Sequence, residues 1–270
     1  MNALLMKIQE HFIHDKIASP FAVPRISRAR LLQRLTENLY SANATVINGR
    51  AGSGKTMLAV DFSRNISRAA AWYKVDAADN ELSVFCEYLT AAVRRQRNSI
   101  NATALIELAT TVDRDNVELL ADAFVFQLSE ARGEPLLIVI EDLHQVYDAD
   151  WVVPFFQRLL PLLPSDVHVL ITCRSLPPTP LWRMRSKQML RVLDEAELAF
   201  TVEEAIALCQ TYGLSEDHAR AAWNETNGRA ANIAEFAATP GRAGRAVADN
   251  LLSFRVARFR STPRTPDFQT

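Results

Sequence analysis

Apolar and polar positions along this chain alternate in two periods, and the switches between them outline the elements. Leu4, Ile8 and Phe12 recur every fourth residue and predict a short amphipathic helix; the "ASPFAVPR" that follows, with two prolines, predicts an extended leader ending near residue 23. "ISRARLLQRLTENLY" has helical spacing, "ATVIN" is a short buried strand, and "TMLAVDFSRNI" is a helix again. "AAAWYKV" predicts a second strand. Leu82, Phe85, Leu89 and Val93 then mark one helical face, and Val117, Leu120, Phe124 and Leu128 another. "LLIVI" (136–140) is a strand, residues 151–160 form a helix expected to end near Pro161, "VHVLITC" (167–173) is a strand, and "MLRVL" closes the series.

Apolar strands separated by amphipathic helices predict an α/β fold with a parallel sheet covered on both faces. After residue 200 only helical spacing remains. There "TVEE" supplies a capping box, Thr201 with Glu204, and Gly228 ends a later helix at low conformational cost. The expected organisation is a leader (1–23), an α/β domain (24–199), a small helical domain (200–238) and a tail (239–270). From 241 to 270 the tail has six arginines against two aspartates, no periodicity, and the turn residues of a flexible segment.

Composition narrows the function classes. The chain has 270 residues with 49% hydrophobic content, enough for a substantial core. Lys plus Arg (30) nearly cancels Asp plus Glu (31), so there is no overall basic field for nucleic acid. Direct DNA binding by this chain is therefore not expected, since a flexible tail with a local charge of about plus four gives only weak, salt-sensitive attraction. The three cysteines, Cys86, Cys173 and Cys209, are widely spaced and odd in number, which argues against disulfides or zinc and fits a reducing cytoplasm. No apolar run is long enough for a membrane span.

The chemistry lies between the first strand and the helix after it. In "NGRAGSGKTML", Gly49-Arg50-Ala51-Gly52-Ser53-Gly54-Lys55-Thr56 matches G-x-x-x-x-G-K-[ST] at every position. Such a loop turns backbone N–H groups onto phosphates, and the following helix adds its positive N-terminal end. The motif assigns Lys55 to the β- and γ-phosphates of ATP and the Thr56 hydroxyl to Mg2+, and makes the fold a P-loop NTPase three-layer sandwich. At the C-terminal end of "LLIVIED", Glu141 takes the metal side and Asp142 the water-orienting position, or the two roles are exchanged. Arg174, after "VLITC", stands at the same sheet edge, either as a γ-phosphate contact or as a surface arginine. His144 and His168 have no partners at metal-ligand spacing and read as hydrogen-bonded or surface histidines; Cys173 reads as core.

Six segments in order, "ISRARLLQRL", "INGRAGSGKTML", "AAAWYKVDAADNELSVFCEYLTAAV", "LLIVIEDLHQVYD", "LLPSDVHVLITCRSLP" and "LRVLDEAELAFTVEEAIAL", resemble the nucleotide-binding module of the large ATP-binding LuxR-type, or MalT-like, transcription regulators of the STAND class of signal-transduction NTPases. The resemblance runs from about Pro24 to Phe236. It implies a switch held closed by ADP and opened into an oligomer by an inducer with ATP, with slow hydrolysis resetting it. It places Arg28 near the nucleotide base, Lys55 and Thr56 at phosphate and Mg2+, Glu141 and Asp142 as the acidic pair, and Arg174 as the γ-phosphate sensor. Gly228-Arg229-Ala230 falls where the family often has G-x-P, so Ala230 departs from the pattern. The family continues into sensor and helix-turn-helix regions, whereas this sequence stops at Thr270, as a fragment or an isolated switch. The partners expected are a nucleotide and a second copy or another protein. Two other readings stay open: a more active ATPase, and a non-catalytic interaction module.

Overall fold

The computed structural model describes residues 14–112, 116–131 and 133–239. The helix expected around Leu4 to Phe12 and the arginine-rich tail lie outside these residues. The chain divides into two compact units, one up to Leu198 and the other from Ala199.

The first unit is built on five parallel strands: β1 (Ala44–Asn48), β2 (Ala69–Lys74), β3 (Leu136–Glu141), β4 (Val167–Cys173) and β5 (Leu190–Leu193), in the order β2-β3-β4-β1-β5. Among the described residues six helices of ten residues or more cover it: α1 (Ala29–Ser41), α2 (Lys55–Asn65), α3 (Leu82–Arg94), α4 (Ala102–Thr111), α5 (Val117–Glu130) and α6 (Val152–Leu162). Strand side chains alternate between faces, and the two faces have separate cores. Leu136, Ile138 and Ile140 pack with Tyr73, Phe85, Phe124 and Phe156 on the α3–α6 side. Leu137 and Val139 pack with Trp72, Leu31, Leu35, Leu58 and Phe62 on the α1–α2 side. This α/β three-layer arrangement is the predicted fold, and β1, flanked by β4 and β5, sets the phosphate loop inside the sheet's C-terminal edge.

Helix α6 ends near Pro161, as expected. It passes through Pro161 and ends at Leu162. A proline in the last turn removes only the bond to the carbonyl four residues back, a modest loss compared with a mid-helix position. The effective stop is Pro164, which holds Leu163 in an extended conformation (ψ 134°). Pro164 has no N–H to offer Leu160 O, and Asn43 Nδ2 donates to that carbonyl instead, at 2.8 Å. Helix α4, capped by Asn101 Oδ1 accepting from Ala104 N, was not anticipated from the periodicity; it buries only Leu105 and Ala109.

The residues read as a leader are partly anchored. Lys16 Nζ lies 2.6 Å from Asp79 Oδ1 and 2.8 Å from Asp76 Oδ2, and Ile17 is buried in the core of the α3–α6 face. Asp76 and Asp79 form a reciprocal capping box that shapes the "DAADN" turn before α3.

His168 on β4 is buried at 2% exposure, its ring between Thr45 Oγ1 at 3.0 Å and Ala42 O at 3.1 Å. Burial lowers its pKa from 6.5 to about 4. Above pH 6.5 the ring is neutral in both folded and unfolded chains. As pH falls from 6.5 toward 4, only the unfolded chain takes up the proton, so stability declines over that window. The difference amounts to roughly 3 kcal/mol in all, of which about 2 kcal/mol is gone by pH 5. His168→Gln is expected to flatten this decline; urea unfolding of both proteins at pH 7.5 and pH 5 measures it, and an equal decline in the variant would exclude His168 as the cause.

Among its described residues the second unit has three helices, α7 (Val202–Gln210), α8 (Glu216–Thr226) and α9 (Ala230–Ala238). Thr201 and Glu204 form the expected capping box on α7. Helix α8 ends through two left-handed residues, Asn227 (φ 51°) and Gly228 (φ 76°). A Cβ on Gly228 would lie 2.6 Å from Phe200 O, so the turn has room only for glycine.

Candidate functional site

Strand β1 ends at Asn48, and the loop to α2 turns through Gly52 (φ 79°) and Gly54 (φ 90°), values that side chains resist. A Cβ on Gly49 would stand 2.8 Å from Ser53 Oγ and 3.0 Å from Leu198 Cδ1, so a side chain here would have to push those two side chains aside. Lys55, the first residue of α2, is buried, and its Nζ donates to Gly49 O at 2.5 Å and Arg50 O at 3.0 Å. Burial lowers its pKa from the ordinary lysine value, while the Asp142 carboxylate works the other way. An ammonium held by carbonyls inside a glycine loop suits a polyanion, which would restore its charged form.

Side-chain alternation on β3 explains how the acidic pair divides. Glu141 has the parity of Leu137 and Val139, so it points to the α2 side, where its Oε1 accepts a short hydrogen bond from the Thr56 hydroxyl. Its Oε2 accepts from Trp72 Nε1 at 3.3 Å. Trp72 is the β2 register partner of Val139 and shares that face. A hydroxyl beside a carboxylate at the N-terminal end of a helix is an oxygen set suited to Mg2+, which usually takes only one or two protein ligands and completes its shell with other oxygens. No group of three or more His, Cys, Asp or Glu side chains among the described residues forms a metal cluster.

Asp142 leaves the strand in a left-handed conformation, φ 58° and ψ 35°, which turns its side chain away from Glu141. Its N–H donates to Thr172 Oγ1 at 3.0 Å, tying the turn to β4. Its carboxylate faces two donors, Arg174 Nη2 at 3.5 Å and His144 Nδ1 at 3.7 Å. Lys55, Thr56, Glu141, Asp142 and Arg174 thus converge on one sheet edge.

The loop's flank is tied to the segment after β5. Arg28, nearly buried, donates from Nη2 to Leu198 O at 2.8 Å, and Arg30 Nη1 donates to Glu197 O at 2.7 Å. Arg50 Nε pairs with Glu195 Oε1 at 2.8 Å. Ala51 and Gly52 complete the loop, and Ser53 Oγ is buried with no hydrogen-bond partner among the described residues.

Sequence reasoning missed Trp72, Thr172 and Glu195, and it did not bring His144 to the site. The first three meet the loop or the acidic pair through strand register or long-range return of the chain. His144 fits neither earlier reading, being mostly buried with an Nδ1 that has no hydrogen bond. His168, by contrast, is hydrogen-bonded, and Cys173 is core, its thiol pushed by burial up to about 11.

A family profile described as the AAA ATPase domain matches residues 26–172. HTH-type transcriptional regulator MalT of Yersinia enterocolitica is 28% identical over 194 residues, covering 72% of this chain and 21% of the relative; MalT of Yersinia pestis matches to the same extent. The chain therefore spans about a fifth of the length of these curated relatives. Two solved structures share the fold. The Walker-type ATPase of Pyrococcus abyssi superposes with a TM-score of 0.52 at 14% identity, over 87% of this chain and 75% of that one. A STAND protein with a tetratricopeptide repeat sensor from Pyrococcus horikoshii gives 0.50 at 17%, over 80% and 30%. No helix among the described residues is long and apolar enough to cross a membrane.

Proposed function

The chain belongs to the AAA ATPase domain family, as a P-loop module related to the MalT regulators, and from that premise we propose that it is an ATP-binding regulatory switch with weak hydrolysis. The observation that carries this reading is the convergence of Lys55, the Thr56–Glu141 pair and the Asp142–Arg174 pair on one edge of the sheet. A fast motor needs the same parts, so the regulatory half of the proposal rests on the relatives, whose name is that of transcriptional regulators.

In this reading Lys55 exchanges the Gly49 and Arg50 carbonyls for the β- and γ-phosphates. Thr56 and Glu141 would hold Mg2+, which screens phosphate charge when bound. Asp142 orients the attacking water, and Arg174 contacts the γ-phosphate and so separates ATP from ADP. Arg28 lies toward the base, and Arg50 to Gly54 wrap the phosphates. The output is a change in self-association or in the binding of a protein partner.

Two measurements test this. Sedimentation velocity with Mg2+ and a non-hydrolysable ATP analogue is expected to give a different association state from Mg2+ with ADP; one sedimentation coefficient in both would remove self-association as the output. Steady-state turnover is expected to fall below about one per second, the lower end for ordinary enzymes. Asp142→Asn is expected to lower it by a further hundredfold or so, in the range of lost general-base catalysis. Glu141→Gln is instead expected to raise the Mg2+ concentration required. Exchange of those two results exchanges the two carboxylates' roles.

A further inference from the structure

Glu195 returns to the glycine loop from 145 positions away and holds the loop's second residue at two points. Its Oε1 accepts from Arg50 Nε at 2.8 Å, and its Oε2 accepts from Arg50 N at 3.3 Å. The two sides of this pair differ in freedom. Glu195 opens the short helical turn Glu195–Leu198. Asp194 and Glu197 fasten that turn, each backbone N–H donating to the other's carboxylate at 3.1 Å, and Arg28 and Arg30 grip the Leu198 and Glu197 carbonyls. The Arg50 side chain, by contrast, is 74% exposed, so little packing keeps its guanidinium where it is. The carbonyl of the same residue accepts from Lys55 Nζ at 3.0 Å, which places Arg50 directly beside the ammonium that the loop offers to a polyanion.

We propose that Glu195 is an acidic clasp that withholds the Arg50 guanidinium from the nucleotide phosphates and so sets the affinity of the loop. The inference rests on the reading of the loop as a nucleotide site. A phosphate offers a guanidinium the same pair of acceptor oxygens as a carboxylate does. Arg50 therefore has two rival anions, one fixed beside the loop and one arriving with the nucleotide. While Arg50 stays on Glu195 its charge is neutralised, and the loop presents one cation fewer to the phosphates. Turning to the phosphates breaks the bond to Glu195, so the lost contact cancels much of the new one. Glu195 is thus a positioning residue, acting through Arg50, that lowers nucleotide affinity without touching nucleotide. Neutralising it releases the guanidinium for the phosphates.

The test titrates a fluorescent, non-hydrolysable ATP analogue with Mg2+ into wild type, Glu195→Gln, Arg50→Ala and the double variant, each first shown to be folded by its melting curve. Glutamine keeps the size of the side chain and an acceptor oxygen while removing the charge. Glu195→Gln is expected to bind about three- to fivefold more tightly than wild type, the upper range for an exposed ion pair. In the Arg50→Ala background the same substitution is expected to gain less than about 1.5-fold, since the two residues act as one coupled pair. A merely structural role for Glu195 would shift the affinity equally with and without Arg50. Unchanged or weaker binding by Glu195→Gln, or a gain of equal size in both backgrounds, would overturn the inference while saturable binding to wild type upholds the nucleotide site. If the folded wild type shows no saturable binding, the reading of the loop fails and the inference fails with it.

Discussion

Phe85→Ala is expected to destabilise the first unit by about 3 to 5 kcal/mol, the range for emptying a fully buried aromatic site. Phe85 has no exposed surface. Its ring centroid lies 4.6 Å from that of Trp151, 5.3 Å from Tyr73, 6.0 Å from Phe155 and 6.1 Å from Phe156. Such aromatic pairs each add roughly 0.5 to 1.5 kcal/mol beyond the area they bury, so one truncation removes several at once. The loss compares with a total stability of about 5 to 15 kcal/mol for an ordinary domain. Urea denaturation followed by tryptophan fluorescence is the check. Trp151, whose Nε1 donates to Asn80 O at 2.6 Å, reports on the same cluster. A loss below about 1 kcal/mol would mean that the cluster is not the core it is described as. Phe85→Leu, which keeps most of the volume, is expected to cost much less.

Lys55→Ala carries the largest expected effect on binding. The side chain is 7% exposed, and its two hydrogen-bond partners are backbone carbonyls. On a polyphosphate it would make charge-assisted hydrogen bonds worth about 1.5 to 3 kcal/mol each. Losing two of them removes at least about 3 kcal/mol, or roughly a hundredfold in affinity. In the absence of nucleotide the direction reverses. Burial already works against the Lys55 charge, so its removal is expected to leave the melting temperature unchanged or slightly raised. A variant that simply unfolds would lose both properties, and this opposite sign separates a binding role from a structural one.

How far the sequence announces this site depends on the range of each contact. The glycine loop is local: spacing, glycines and the flanking strand and helix all fall within a short stretch, and the structure sets it between β1 and α2. The orientation of Glu141 is also implicit in "LLIVIE", because parity puts it on the face of Leu137 and Val139 once that strand is recognised. The Trp72–Glu141 contact is not implicit, since it depends on β2 pairing with β3 in a register that nothing local fixes. Arg28 meets Leu198 across 170 positions for the same reason. His144 reads from the sequence only as a hydrogen-bonded or surface histidine. Its approach to the Asp142 carboxylate follows from the left-handed turn at Asp142, a conformation that an aspartate tolerates but does not signal. The stop of α6 shows a third kind of gap. Pro161 and Pro164 look alike as helix breakers, and it is Asn43, far away in sequence, that satisfies the end at the second.

The central claim is that the loop around Lys55 is a nucleotide site, and direct titration tests it. A fluorescent, non-hydrolysable ATP analogue with Mg2+ is titrated into wild type and into Lys55→Ala, each first shown to be folded by its melting curve. The account predicts saturable binding to wild type and binding at least about a hundredfold weaker to the variant. Equal affinities for the two proteins, or no saturable binding to the folded wild type, would contradict it.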